Sequence, residues 1–305
     1  MLSLFLKNQV QSSLCFPFIF YNPNRFFHSC VFYFKRSGTR YLPSLTSPRR
    51  KRFVLVSLYN NNMVASGVKQ YAWVLYGIVS ILIILGVSLL YGTVAAISTS
   101  LHTPVTLATP LDLSIPLIPP MIIIYWYVFY SFLFFSYFYF AFVHREYRNA
   151  LVLAYVLVNV VAYLIYLIFP VLGPDRLVTG TDFFSMQVQA LYNGDVHVNC
   201  FPSLHGSTAL LTAFALWRAK KEYGYLSFPI AIAVMVSTLF VRQHWIADQI
   251  LATVITLPIA YVIFNRFKYT KVTESTTVVH RWQVLVSLVA GVFFMVLYLW
   301  VFYFM

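Results

Sequence analysis

Hydrophobic residues form long runs along this chain, and short intervening stretches carry most of the polar side chains. A helix of about 20 apolar residues is long enough to cross the ~30 Å hydrocarbon core of a bilayer. Seven runs are candidate membrane spans, of which the fourth and fifth are the shortest: residues 72–95, 121–142, 149–171, 203–217, 226–241, 246–265 and 282–305. The pattern predicts an all-α, polytopic membrane bundle.

Composition supports this class, because 60% of the 305 residues are hydrophobic and only 10% are charged. The mean hydropathy is +0.76. These values leave no room for a large water-soluble domain. We therefore divide the chain into a basic tail (1–71), a six-span core (72–265), a loop (266–281) and a seventh span (282–305).

The distribution of lysine and arginine predicts an orientation, because loops that stay in the cytosol retain positive charge. With seven spans, all of the 21 Lys and Arg residues except Arg176 and Arg242 fall on one side of the membrane. This alternation predicts a cytosolic N-terminus and an extracytosolic C-terminus. It also leaves two arginines isolated on the extracytosolic face.

The tail of residues 1–71 is rich in Lys and Arg and contains no Asp or Glu. Such a segment could bind RNA or anionic lipid, but a disordered, topogenic flank is the more ordinary interpretation. We expect no nucleic-acid partner in spite of the net charge of +13. Met63 lies shortly before the first span, and we expect natural translation to start there; a transit peptide is the alternative.

Two polar motifs stand at the ends of predicted spans: Cys200-Phe201-Pro202-Ser203-Leu204-His205-Gly206 and Arg242-Gln243-His244-Trp245-Ile246-Ala247-Asp248. His244 and Asp248 are four residues apart and share one face of a helix. The carboxylate can then bind one imidazole N–H and leave the other nitrogen free to act as a nucleophile. Taken alone, the same pair is also an ordinary helix-end arrangement.

His205 opens the fourth span. Ser203 is placed to cap this helix, whose first N–H groups attract anions. Gly206 lets a ligand approach the backbone closely. Read in isolation, this segment is an ordinary helix N-terminus.

The predicted membrane topology places the two motifs on the same face of the membrane. The fourth and fifth spans run inward and then outward, so His205 and His244 return to the same membrane face. Arg176 and Arg242 lie on that face too, and guanidinium groups suit phosphate oxygens. An ion pair with Asp175 and snorkelling at the interface are the ordinary alternatives for the two arginines. The combination predicts an anion site with a histidine nucleophile.

Pro202-Ser203-Leu204-His205 and His244-x-x-x-Asp248 resemble the second and third signature motifs of the type 2 phosphatidic acid phosphatase (PAP2) superfamily, which also includes vanadium haloperoxidases. The resemblance covers residues 113–265. The form Asn199-x-Phe201-Pro202-Ser203-Leu204-His205 is most similar to the inositol phosphorylceramide synthase, or inositolphosphotransferase, branch.

The resemblance implies a six-helix core with its site on the non-cytosolic face, and the span at 282–305 is additional. It implies that His244 is the nucleophile, Asp248 its orienting acid and His205 the general acid. The same resemblance implies that phosphate is held by three residues, Arg176, Ser203 and Gly206.

Two departures from the superfamily pattern remove positive charge from the expected phosphate-binding site. The lysine that precedes the first-motif arginine is missing, and Thr238 stands where many of these phosphatases carry an arginine. We expect Arg242 to compensate for the missing positive charge.

Several alternatives stay open. With water as acceptor, the enzyme would be a lipid phosphate phosphatase; with an alcohol headgroup it would be a transferase. A transporter or an inactive structural relative is the non-enzyme alternative. A metal hydrolase using His197, His205 and His244 is disfavoured because those histidines lack a carboxylate cluster. We expect a membrane lipid substrate, no metal and no cofactor; the oligomeric state is not predicted.

Overall fold

The computed structural model describes residues 62–266 and 281–304. Most of these residues are helical, and the rest form irregular connecting segments and one pair of two-residue strands. In chain order, the elements are α1 (Asn62–Leu101), β1 (Val105–Thr106), α2 (Pro110–Ser114), α3 (Phe129–Phe138), α4 (Arg148–Ile168), β2 (Val171–Leu172), α5 (Phe183–Gly194), α6 (Leu204–Ala219), α7 (Lys221–Phe240), α8 (Ile246–Arg266) and α9 (Arg281–Phe304). The predicted tail up to residue 61 and the loop at 267–280 lie outside the described residues.

Six helical segments in this part of the chain are long and apolar enough to cross a membrane, which confirms the predicted polytopic bundle. They are Trp73–Leu101, Pro119–Val143, Arg145–Ile168, Lys221–Phe240, Ile246–Arg266 and Trp282–Trp300. The first helix, α1, is longer than its predicted span, since it begins at Asn62.

The fourth predicted span corresponds to α6, which differs from the other six. Its 16 residues extend about 24 Å, less than the hydrocarbon thickness. From Gly206 to Leu216 every residue is buried, and the helix packs on α7 and α8. Because its neighbours cover it, α6 is a central helix of the bundle.

The segment around α3 is not a regular α-helix. Wider π-helical turns occupy Ile123–Val128 and Tyr139–Val143 on either side of it. Such turns change the direction in which side chains project and are frequent at functional sites. The first of them buries Tyr125 and Trp126.

Backbone contacts join the segments at one end of the bundle. Strands β1 and β2 follow α1 and α4 and pair in parallel, with Val105 opposite Val171. The indole N–H of Trp245 donates to the carbonyl of Leu172 at 2.8 Å. The backbone N–H of Ser203 donates to the Asp248 carbonyl at 3.1 Å. These bonds bring both polar motifs to the same end.

Arginines gather at the opposite end. Arg145 lies over the ring of Trp73 and Arg148 over that of Tyr76, with 5.0 Å and 5.5 Å to the ring centroids. Arg218 donates to the carbonyl of Phe264. This separation of basic residues from the polar motifs agrees with the charge pattern in the sequence, while the orientation in the membrane stays a prediction.

Helix α9 packs against α3 through a glycine. Gly291 is buried, and a Cβ atom added there would lie 2.7 Å from the backbone nitrogen of Phe135. Only a residue without a side chain allows this approach. Around it, Phe294 contacts Phe134 and Phe138, with ring centroids 6.3 Å and 4.9 Å away.

We predict that Gly291→Ala separates α9 from α3 and lowers the free energy of unfolding by about 1–3 kcal/mol. Gly92→Ala is the matched control, because nothing lies within 4 Å of its added Cβ. The control should be neutral or stabilising, since alanine favours helix more than glycine does. Thermal melting in one detergent measures both. Equal melting shifts for the two variants would contradict the close contact.

Candidate active site

The histidines of the two motifs face each other. Nε2 of His244 lies 3.4 Å from Nδ1 of His205, and the ring centroids are 5.6 Å apart. His205 stands in the first turn of α6, and His244 in the loop between α7 and α8. The convergence that topology predicted is therefore present.

His244 is held in one tautomer. Its Nδ1 lies 3.1 Å from a carboxylate oxygen of Asp248 and 3.1 Å from the carbonyl oxygen of Cys200. A backbone carbonyl only accepts, so Nδ1 carries the hydrogen and Nε2 keeps its lone pair. Burial lowers the pKa of His244 to about 3, and the charge of Arg176 lowers it too, although the bond to Cys200 raises it. The imidazole is neutral at pH 7.

Asp248 is the most enclosed member of the site, with a relative exposure of 0%. Besides His244, the same carboxylate oxygen accepts the backbone N–H of Trp245 at 2.8 Å. An ionised carboxylate out of water needs such donors to offset its lost hydration. A second carboxylate, that of Asp112, holds the start of α8, because it accepts the backbone N–H of Ile246 at 2.8 Å.

Ser203 caps α6, as its position before the helix predicts. Its hydroxyl accepts the backbone N–H of Gly206 at 3.1 Å. Gly206 lies against Gln249 so closely that an added Cβ would overlap the Gln249 side-chain oxygen. A side chain at this position would have to displace the Gln249 amide, and phosphate binding by Ser203 and the Gly206 amide stays a prediction.

Tyr125 is a site residue that the sequence did not indicate. Its hydroxyl lies 2.9 Å from Nε2 of His205, and its ring is 4.7 Å from the imidazole. Phe129 covers the same imidazole, with centroids 5.1 Å apart. Both residues belong to one aromatic run whose π-helical start sets their direction, and no local motif marks them.

Arg176 is close to the site but already paired. Its guanidinium donates to the Asp195 carboxylate at 3.1 Å and to the Asp195 carbonyl at 2.8 Å. It also donates to the side-chain oxygen of Gln243 at 3.1 Å. The partner is Asp195 rather than the neighbouring Asp175. Asp195, at the end of α5, was not singled out by the sequence.

Arg242 has a backbone φ of 49°, in the left-handed region that a side chain with Cβ rarely adopts. In the part of the chain that the structure describes, its side chain makes no hydrogen bond or ion pair. Thr238, the other departure from the superfamily pattern, is buried and accepts the amide of Gln249 at 2.7 Å. Position 238 thus carries no positive charge where many phosphatases of the superfamily have an arginine. Compensation for this missing charge by Arg242 remains a prediction.

A cavity of about 240 Å³ opens from the histidine pair into the helix bundle. Its polar end is formed by His205, His244 and Asp195, and its inner part by apolar and tyrosine side chains of α1, α3, α4 and α9. Tyr155 and Tyr166 of α4 both line it, and the eleven helical steps from one to the other correspond to about 16 Å. The cavity is therefore long, and mostly apolar beyond its polar end.

Residues 121–263 match the family model of the PAP2 superfamily. The matched segment contains His205, His244 and Asp248, whose geometry is described above. The match agrees with the resemblance of the two motifs at the level of the superfamily, and it leaves the branch undecided. No curated protein and no solved structure gives a significant match.

Helices α1 and α9 lie outside the PAP2 match and still reach the site. Ile84 and Ser88 of α1 line the cavity, as does Tyr298 of α9. The hydroxyl of Tyr130 donates to that of Tyr298 at 3.2 Å. The seventh span, which had no predicted role, is thus a wall of the cavity.

Cys200, His244 and Asp248 are the one group among the described residues that could hold a metal ion, with ligand atoms within 4.8 Å of one another. Burial raises the pKa of the Cys200 thiol, which disfavours the thiolate that metals bind. A metal would also replace the hydrogen bond from His244 to Asp248. His197, considered earlier as a ligand, instead contacts the carbonyl of Pro174 at 2.8 Å.

We predict that Asp248→Asn weakens the preference for the Nδ1–H tautomer of His244, because the carboxylate that accepts this hydrogen is lost. Nitrogen NMR of histidine-labelled protein measures the two tautomers. Asp175→Asn is the control, since Asp175 is exposed. A wild-type His244 that carries its hydrogen on Nε2 would contradict this geometry.

Proposed function

We propose that the protein is an integral-membrane enzyme that transfers phosphoryl groups from lipid phosphates or lipid phosphodiesters through a phosphohistidine on His244. One observation carries the proposal. Nε2 of His244 is the free nitrogen of an imidazole anchored at Nδ1, and it faces His205 at 3.4 Å. A fixed nucleophile beside a proton carrier is what phosphoryl transfer requires.

In the first step, the lone pair on Nε2 of His244 attacks phosphorus, and the bond from phosphorus to the leaving oxygen breaks. The negative phosphate favours the protonated form of His205, which then gives its proton to the leaving oxygen. Tyr125 can accept from the imidazolium or donate to the neutral ring. Asp248 stabilises the charge that develops on His244.

In the second step, an acceptor hydroxyl gives its proton to His205 while its oxygen attacks the phosphohistidine. The bond from phosphorus to nitrogen then breaks, and neutral His244 is restored. We place the terminal phosphate oxygens near the first turn of α6, where N–H groups and the helix dipole favour anions. Arg176 and Arg242 are the proposed cationic ligands.

The cavity supports a lipid as the donor. It joins the histidine pair to an apolar interior whose walls are membrane-spanning helices. Leu133 and Phe134 of α3 and Ile84 of α1 are among its apolar lining residues. A hydrocarbon chain gains about 0.8 kcal/mol for each CH₂ group moved out of water, so such a lining suits a lipid that enters from the membrane.

We prefer an alcohol headgroup as acceptor, as in an inositolphosphotransferase-like reaction, because the motif Asn199–His205 is most similar to that branch. The same site with water as acceptor is a lipid phosphate phosphatase. The charge distribution supports an extracytosolic site, since the basic helix ends lie at the far end of the bundle.

We predict that His244→Ala abolishes turnover of a labelled lipid phosphate, with a loss of about three orders of magnitude or more. His205→Ala should lower turnover about 100- to 10,000-fold through loss of proton transfer. His102→Ala is the control, because His102 is exposed beyond the end of α1. Assays of released phosphate and of new phospholipid in detergent measure all three. Full activity of either site variant would refute the role proposed for that histidine, whereas a wild-type protein without turnover would favour a transporter.

We also predict that EDTA leaves turnover unchanged, because the proposed steps use only histidine, carboxylate and arginine side chains. The measurement is initial rate with chelator, followed by added Zn²⁺ or Mg²⁺. A loss of activity that added metal restores would contradict the mechanism and indicate that Cys200, His244 and Asp248 bind the ion.

A further inference from the structure

A carboxylate lines the cavity beside the two histidines. Asp195 follows the last residue of α5, its side chain is 19% exposed, and it is one of the residues that line the cavity. One of its oxygens binds Arg176 at 3.1 Å. Burial raises the pKa of this carboxyl to about 6, against the lowering effect of Arg176, so it is mostly ionised at pH 7. Arg176 therefore accounts for one carboxylate oxygen of Asp195.

Asn199 presents a second acceptor to the same cavity. Its side-chain nitrogen donates to the carbonyl of Tyr91 at 3.1 Å, which leaves its oxygen as the free end of the amide. That oxygen is buried without a hydrogen-bond partner among the described residues. Asn199 is only 1% exposed and has φ 64°, a left-handed conformation that asparagine tolerates better than most residues.

Neither acceptor can serve phosphate. Phosphate oxygens are themselves acceptors, and a carboxylate repels their negative charge. A buried acceptor left unpaired costs free energy, so a ligand that fills this end gains by supplying O–H or N–H donors. Because Arg176 already neutralises Asp195, the site favours a neutral hydrogen-bond donor, such as a hydroxyl, over a charged ammonium group.

We infer that Asp195 and Asn199 form a hydroxyl-binding subsite that selects a polyhydroxylated substrate, either the alcohol that accepts the phosphoryl group or the headgroup of the lipid donor. This inference rests on the proposed function and extends it. Asp195, Asn199 and His244 line the same cavity. Asn199 directly precedes Cys200, whose carbonyl binds His244, and Arg176 binds both Asp195 and Gln243, the residue before His244. A polyol bound at the subsite can thus present a hydroxyl to the phosphohistidine. It thereby favours transfer to an alcohol over transfer to water.

The test uses the full-length protein in detergent with a labelled lipid phosphomonoester in the presence and absence of glycerol or myo-inositol. The ratio of phosphoryl transfer to hydrolysis is measured for wild type, Asp195→Asn and Asn199→Gly. Asn199→Gly keeps the left-handed backbone accessible. Asp175→Asn is the matched control, a charge change on an exposed residue next to Arg176. A second arm compares KM for a lipid phosphodiester with a glycerol headgroup and one with a methyl headgroup.

If the acceptor occupies the subsite, Asp195→Asn lowers the ratio of transfer to hydrolysis about tenfold, the effect of losing a hydrogen bond to a charged group. If the donor headgroup occupies it, the KM for the glycerol headgroup rises about tenfold while that for the methyl headgroup does not. In each case Asn199→Gly changes the same quantity, the transfer ratio or the KM for the glycerol headgroup, in the same direction as Asp195→Asn. Asp175→Asn changes neither the ratio nor the KM.

Several results would overturn the inference and leave the proposed function standing. One is an equal loss of transfer and hydrolysis in Asp195→Asn, which would mean that Asp195 only holds Arg176. Another is a wild-type enzyme that hydrolyses lipid phosphate but neither transfers to polyols nor prefers the hydroxylated donor. A wild-type protein without turnover on any lipid phosphate would instead refute the proposed function, and the subsite with it.

Discussion

The site depends on a carboxylate buried at the end of a membrane bundle. Asp248 is fully enclosed, and one of its carboxyl oxygens accepts the N–H groups of His244 and Trp245. Its own backbone carbonyl accepts from Ser203, which caps the helix that carries His205. One residue thus fixes the tautomer of one histidine and joins its loop to the helix of the other. A buried carboxyl group tolerates few arrangements of its hydrogen-bond partners, and this restriction makes the geometry specific.

Scaffold and site use different kinds of interaction. The long helices present apolar faces outward, and the central helix α6 is covered on all sides by its neighbours. Leu204 and His205, in the first turn of this enclosed helix, line the cavity. The cavity is then completed by α1 and α9, which lie outside the segment matched by the PAP2 model. Residues of these flanking helices therefore help to set the shape of the cavity.

Sequence reasoning predicted the features that depend on local spacing and on membrane topology. Hydrophobic runs gave the helices, and the return of the chain to one face placed His205 near His244. The i, i+4 spacing gave the bond between His244 and Asp248. What it missed depends on contacts between distant segments. Tyr125 points at His205 only because a π-helical turn redirects it, and no pattern pairs Arg176 with Asp195 across the loop and α5. The length of α6 was also uncertain, because a buried central helix and a short span have the same apolar composition.

A covalent bond between phosphorus and Nε2 of His244 is the central claim. Rapid quenching of the His205→Ala variant with labelled lipid phosphate, followed by peptide mapping, tests it most directly. In this variant the acceptor hydroxyl has no His205 to take its proton, so the second step, breakdown of the intermediate, is slowed. We expect the label on the peptide that contains His244, and on that histidine alone. Label on another residue, or turnover of wild type by a route that never labels the protein, would contradict the claim.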